Sequence, residues 1–234
     1  MSNILEVQNI HTFISQYHIL QGVDVIVPQG SITALLGRNG AGKTTTLKSI
    51  LGLATVRQGK IIFDGREVQG MPPYDIAALG IGFVPEHRAI FRDLTVEENL
   101  KIAERQKGDY LRRRDLIFDL FPDLKRFIGI PGTRLSGGQQ QMLAIARALV
   151  AENKLLLIDE PSEGLAPVII EHMIEVIHQL SKESTVVLVD QNFLVASKLA
   201  ESYVIIEEGQ SVKSGRMADL VTDKATINKY LGAA

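Results

Sequence analysis

Cysteine is absent from this chain of 234 residues. That removes disulfides, thiolate metal sites and cysteine nucleophiles, and it agrees with a reducing compartment. Long apolar runs are missing too. The longest, such as Leu155 to Ile158 and Val186 to Val189, are strand-sized and far short of the roughly 20 residues of a membrane span. There is no basic excess: 25 Lys and Arg face 27 Asp and Glu, a net charge of −2. Overall charge therefore points neither to nucleic acid nor to an anionic membrane surface, and any phosphate binding has to come from a local site. The N-terminal MSNILEVQNIHTF lacks the basic start and apolar stretch of a signal peptide. Work at a membrane would need a partner to hold the chain there. Five histidines, His11, His18, His87, His172 and His178, are scattered without metal-ligand spacing and read as surface or structural residues.

Hydrophobic residues make up 45% of the chain, enough for a sizeable core. No internal repeat or low-complexity linker divides it. Ile4 to Ile10, Val23 to Val27 and Ile32 to Leu36 read as strands, with Pro28-Gln29-Gly30 as a turn. A helix is expected from Gly42, with Leu47, Ile50 and Leu51 on one face. Lys60 to Phe63 and Ile81 to Val84 are further strands. From about residue 90 to 150 charged amphipathic helices dominate, notably Thr95 to Arg105 and Leu111 to Phe121. Strand character returns at Leu155 to Ile158, Val186 to Val189 and Tyr203 to Ile206. The expectation is one α/β domain over 1–234, with a mixed sheet core, an antiparallel β portion and a helical lobe inserted at about 90–150.

Residues 37–44 read GRNGAGKT, a phosphate-loop match that follows a strand and precedes a helix. Gly37, Gly40 and Gly42 let backbone N–H groups wrap phosphates, and Arg38, Asn39, Ala41 and Thr45 belong to the same nucleotide-binding stretch. Lys43 supplies positive charge to the terminal phosphates, and the Thr44 hydroxyl is a ligand for Mg²⁺. The apolar run Leu155 to Ile158 delivers Asp159 and Glu160 to the sheet edge beside that loop. Asp159 is placed to hold Mg²⁺ through water, and Glu160 to polarise the attacking water. Residues 135–139 read LSGGQ. A helix starting at Gly137 leaves N–H groups free for a second anion, although Ser136 as an ordinary N-cap explains the same letters. The second anion site makes sense if Ser136, Gly137, Gly138 and Gln139 meet the γ-phosphate held by another subunit.

GRNGAGKT, LSGGQ and LLLIDEP in this order resemble ABC-type ATPases over essentially the whole chain. The resemblance implies two such domains packed head to tail, as homodimer or heterodimer, with each ATP between the phosphate loop of one and the signature of the other. It implies membrane permease subunits against the helical lobe, a solute-binding protein acting indirectly, no nucleic-acid partner, and a peripheral position on the cytoplasmic face of the membrane. Tyr17 resembles the aromatic that stacks on adenine. VPEHRAIF at 84–91, LTVEENL at 94–100, EPSEGLAP at 160–167 and VDQN at 189–192 look like the ATPases of branched-chain amino-acid importers, or of related urea and amide importers. Three positions depart from the general family pattern. Glu86 stands where a glutamine reaches Mg²⁺ and the water, Ala166 where an aspartate follows the catalytic strand, and Gln191 where a histidine contacts the γ-phosphate. Gln191 can donate a hydrogen bond there but cannot become a cation.

Two other readings compete. A soluble ABC ATPase acting on DNA or the ribosome would usually bring coiled-coil arms, tandem domains or basic extensions, which this sequence does not show. A GTPase or small-molecule kinase would share the phosphate loop but not LSGGQ, and no N-K-x-D guanine motif follows: Asn153-Lys154 continues as Leu155-Leu156.

Overall fold

A computed structural model describes residues 2–232. Its strands form two sheets. The first is antiparallel, in the order β2-β1-β4-β5, from β1 (Asn3–Ile14), β2 (Tyr17–Pro28), β4 (Thr55–Phe63) and β5 (Arg66–Glu67). The second runs β10-β9-β3-β8-β7-β6, from β3 (Ile32–Leu36), β6 (Ile81–Val84), β7 (Leu155–Asp159), β8 (Thr185–Val189), β9 (Ser202–Glu207) and β10 (Gln210–Arg216). Here β6, β7, β8, β3 and β9 are parallel, and only β10 is antiparallel to its neighbour.

The central strands are buried at every position and mostly apolar, because both faces are covered. Leu156 and Ile158 of β7 and Val186 and Leu188 of β8 enter one core, together with helical residues such as Leu143, Ile145 and Met173. Leu155, Leu157, Val187 and Val189 enter a second core, with Leu47 and Ile50 and residues of the antiparallel sheet such as Leu5, Val25 and Ile61. All five parallel strands end on one edge, so whatever follows β3, β6, β7 and β8 converges there.

The helices are α1 (Lys43–Ile50), α2 (Pro73–Ala78), α3 (Val96–Lys101), α4 (Asp109–Leu120), α5 (Pro122–Arg126), α6 (Gly137–Ala148), α7 (Pro167–Leu180), α8 (Phe193–Leu199), α9 (Met217–Thr222) and α10 (Lys224–Tyr230). Between β6 and β7 the chain is helical from α3 to α6. The helix expected over Thr95 to Arg105 is shorter. Thr95 and Glu98 form a reciprocal capping box at its start, but it stops at Lys101. Its far end is diverted because the Asp109 carboxylate accepts hydrogen bonds from the backbone N–H groups of Arg105 and Gln106, which holds those residues in the approach to α4. The first two strands are longer than their apolar pattern implies, since they extend to a hairpin in which Ile14 pairs with Tyr17. Among the described residues no helix is long and apolar enough to cross a membrane.

Candidate active site

The loop between β3 and α1 is shaped by glycines at positions other residues could not fill. Gly37 has φ +144°, and a Cβ there would lie 2.2 Å from the carbonyl oxygen of Ile206; Gly42 has φ +114°, and a Cβ would meet the Leu20 side chain at 2.7 Å. Lys43, only 4% exposed, donates to the carbonyls of Gly37 at 3.0 Å and Arg38 at 3.2 Å. Its Nζ also lies 3.6 Å from Glu160 Oε1. The lysine is thus tucked across its own loop, with its charge balanced by a buried carboxylate.

A cleft of about 300 Å³ opens above this loop. It is lined by Asn39, Gly40, Gly42, Lys43, Thr44 and Thr45, by Glu86, Glu160 and Gln191 from the neighbouring strand ends, and by Ile19 and Glu163. The parallel register explains the meeting: Asp159 of β7 pairs with Val189 of β8, so Glu160 and Gln191 leave the sheet side by side. Gln191 Nε2 donates to Glu160 Oε2. Glu160 has φ +45°, an unfavourable left-handed conformation for a residue with a side chain, and its N–H is anchored 2.7 Å from the Val189 carbonyl. Asp159 is buried and accepts from Thr44 Oγ1 at 3.2 Å. Burial pushes the Asp159 carboxyl up to about 6; the Thr44 hydrogen bond and Lys43 oppose this, while Glu86 and Glu160 add to it.

Arg38 and Ala41 line an adjacent hollow with Glu207, Glu208 and Tyr230. There the Arg38 guanidinium donates to the Lys229 carbonyl at 3.0 Å, which ties the last turn of α10 to the phosphate loop. Tyr17 is 64% exposed at the end of the β1–β2 hairpin and does not line the cleft; Ile19 does. The register gives the reason for Ile19. Thr12 pairs with Leu20 and Phe13 with His18, so Ile19 is the extra residue of a bulge, a feature that re-aims a side chain beside a site. Ile19 belongs to no motif, and Glu163 falls within EPSEGLAP without a role of its own there. His11 and His18 are not isolated either: their ring nitrogens lie 3.0 Å apart across the hairpin.

The signature residues Ser136, Gly137, Gly138 and Gln139 lie outside this cleft. Gly137 opens α6 as expected, but its end is partly satisfied within the chain. Ser136 Oγ accepts from the Gln139 N–H at 3.3 Å, and Gln139 Oε1 accepts from the Ser136 N–H at 2.9 Å. The ordinary capping role is therefore present alongside any outward one. The segment following β6 packs along this helix. Arg88 lies against Gly137, and Arg147, near the other end of α6, donates to the Ala89 carbonyl and sits 4.9 Å over the Phe91 ring.

The family model for ABC transporter matches residues 20–163. The chain is 43% identical over 233 residues to the high-affinity branched-chain amino acid transport ATP-binding protein BraG of Pseudomonas aeruginosa, covering 98% of this chain and all of that one. It is 39% identical to the probable branched-chain amino acid transport ATP-binding protein LivF of Archaeoglobus fulgidus, over 88% of this chain and 89% of that one. The ADP conformation of MJ1267, an ATP-binding cassette of an ABC transporter, superposes over both full lengths with a TM-score of 0.86 at 22% identity, a likeness of fold. A dimeric post-hydrolysis state of the cassette MJ0796, bound to ADP and phosphate, superposes over 91% of this chain and 98% of that one, with a TM-score of 0.80 at 25% identity. A phosphate loop, two strand-end carboxylates and a signature helix in this fold have one common source: the chain belongs to the ABC transporter family, as an ATP-hydrolysing subunit.

Proposed function

We propose that this chain is the motor subunit of an importer for branched-chain amino acids or closely related small solutes such as amides or urea. The observation that carries this is the 43% identity to BraG across nearly the whole of both chains. The chain would act as one ATPase domain with its helical lobe at about 90–150, in a dimer, on the cytoplasmic face of a membrane permease that receives solute from a binding protein. A groove of about 360 Å³ between the lobe and the sheet edge, lined by Leu51, Phe83, Pro85, Arg88, Ala89 and Ala144 among others, suits a short permease helix. It abuts the segment that carries Glu86, so a motion of that segment on nucleotide binding reaches the permease.

In this reading the N–H groups of residues 37–45 cradle the phosphates, Tyr17 stacks on adenine, and Lys43 exchanges Glu160 for a phosphate oxygen. Glu160, freed from the lysine but still met by Gln191, polarises the attacking water; Gln191 donates to the γ-phosphate. Ser136 to Gln139 close the site of a second subunit. Among the described residues no cluster of three or more His, Cys, Asp or Glu could hold a metal by itself. Thr44, Asp159 and Glu86 nevertheless supply hard oxygen donors, and Mg²⁺ is commonly held by one or two carboxylates plus substrate phosphates. The residues therefore fit Mg²⁺ bound together with ATP, where it would neutralise phosphate charge.

Replacing Glu160 by Gln keeps the shape of the cleft and removes the base. Turnover is expected to fall by about 10²–10⁴-fold while ATP binding persists, so the variant accumulates as an ATP-bound dimer in size-exclusion chromatography. Near-normal hydrolysis by a monomeric Glu160→Gln would overturn the assignment.

A further inference from the structure

Glu160 and Gln191 meet in the cleft, each carried on a turn just beyond the end of a strand. Glu160 is in the left-handed region at φ +45°, where a non-glycine residue persists only if its surroundings impose it. One residue is connected to both turns. Asp190 directly follows β8 and is 2% exposed. Its Oδ1 accepts from Ser162 Oγ at 2.8 Å and from the Asn192 N–H at 2.7 Å. Ser162, 8% exposed, lies two residues beyond Glu160; Asn192 lies one beyond Gln191. The single carboxylate oxygen therefore ties the turn after β7 to the turn after β8, immediately behind the two side chains that converge on the cleft. The other oxygen, Oδ2, is buried with no hydrogen-bond partner. Burial, reinforced by the nearby Glu160 charge, pushes the carboxyl up to about 6 against the opposing hydrogen bonds of Asn192 and Ser162. An acid in such surroundings is not explained by packing, since a small apolar residue would fill the space without the unpartnered oxygen.

We infer that Asp190 is a positioning residue for hydrolysis, its Oδ1 bridging Ser162 and Asn192 so that Glu160 and Gln191 stand at the spacing the reaction needs. This rests on the reading of Glu160 as the group that polarises water. The bridge requires an oxygen acceptor of aspartate's reach, and it acts through geometry without touching ATP. Small misplacements of a reacting group are expensive in rate and nearly silent in binding.

The test is steady-state ATPase activity of the full-length chain in the assembly it purifies with, comparing Asp190→Ala, Asp190→Asn, Ser162→Ala, the Asp190→Ala/Ser162→Ala double variant and Glu160→Gln. Asp190→Ala is expected to lower kcat by about 10- to 100-fold, with KM for ATP changed by no more than about threefold. Asp190→Asn, whose amide oxygen accepts the same two bonds, is expected to restore most of the lost rate. Ser162→Ala is expected to lower kcat by a smaller factor, and the double variant to be no slower than Asp190→Ala, because both break one bridge. Full rate in Asp190→Ala, a loss shared equally by KM, an Asp190→Asn as slow as Asp190→Ala, or additive losses in the double variant would each overturn the inference. If Asp190→Ala does not fold, Ser162→Ala decides alone, since it removes one hydroxyl from the same bridge and its full rate overturns the proposal. Glu160→Gln separates the two levels. Retained turnover there removes the reading on which the bridge depends, whereas lost turnover beside fully active Asp190 and Ser162 variants overturns the bridge only.

Discussion

Asp159 and Asp190 are buried carboxyls at the ends of adjacent strands, each raised to about 6 chiefly by burial. Their effect on stability has a definite sign. Each holds its proton more tightly in the folded chain than in the unfolded one, where the value is about 4. The folded state is thus relatively favoured at low pH, and that advantage is lost as pH rises from about 4 to about 6. The nucleotide-free chain is expected to lose up to about 3 kcal/mol per carboxyl across this window, measured by urea denaturation at a series of pH values. Asp190→Asn is expected to flatten its share of the slope; an unchanged slope would mean that Asp190 does not titrate there. Magnesium, if held at Asp159 as proposed, would work the other way, since it would favour the ionised carboxylate. Its affinity in the presence of ATP is expected to rise with pH through about 6, and its removal by a chelator to lower the melting temperature of the ATP-bound form. Tyr17 supplies the other test of a single side chain. Base stacking contributes roughly 1–3 kcal/mol, so Tyr17→Ala is expected to weaken ATP binding in calorimetry while Tyr17→Phe leaves it near its original value. An unaffected Tyr17→Ala would move the adenine platform elsewhere on the hairpin.

Helix starts and strand ends decide how much of this molecule could be read before its structure. Ile32 to Leu36 and Ile81 to Val84 are strands with the bounds their apolar runs indicate, because runs flanked by glycine or proline have few alternatives. The phosphate loop, Asp159 and Glu160 were legible for the same reason: each is a short motif fixed to a strand end. The bulge that turns Ile19 to the cleft was not legible, since it depends on cross-strand register. Nor was the Ser162–Asp190 contact, which joins residues 28 positions apart. One departure from the family pattern becomes a question of helix capping. Ala166 is the N-cap of α7 and makes no side-chain cap. Ala166→Asp is expected to stabilise the chain by about 1 kcal/mol, through a hydrogen bond to the Val168 N–H and the helix dipole. Thermal denaturation checks this, and a lower melting temperature would show that the carboxylate meets an unfavourable neighbour instead.

At the scale of the whole molecule, the cleft and the signature cannot serve each other within one chain, because Ser136 to Gln139 lie outside the cleft. In the proposed reading a second subunit brings its signature to this cleft, and the question is whether that subunit is a copy. This chain retains Lys43, Asp159 and Glu160 at its own cleft, but it has Gln191 in place of a potential cation and Ala166 in place of a carboxylate. Gln191 Nε2 donates to Glu160, so it must be shared or released to donate to a γ-phosphate. A lost transition-state donor lowers a rate by about 10²–10³-fold, and a neutral amide recovers only part of that. Such a site is expected to hold ATP well and turn it over slowly, while the signature, complete as LSGGQ, remains able to complete a faster site on a related partner. The expected motor is a heterodimer in which this chain alone hydrolyses ATP poorly and the mixture exceeds the sum of its parts. Turnover of this chain, of the partner co-purified with it, and of the two combined checks the expectation, with Gln191→His as the internal control. Histidine at 191 is expected to raise the rate of this chain's own site. Fast, cooperative hydrolysis by this chain alone, unimproved by Gln191→His, would instead assign the work to a symmetric pair.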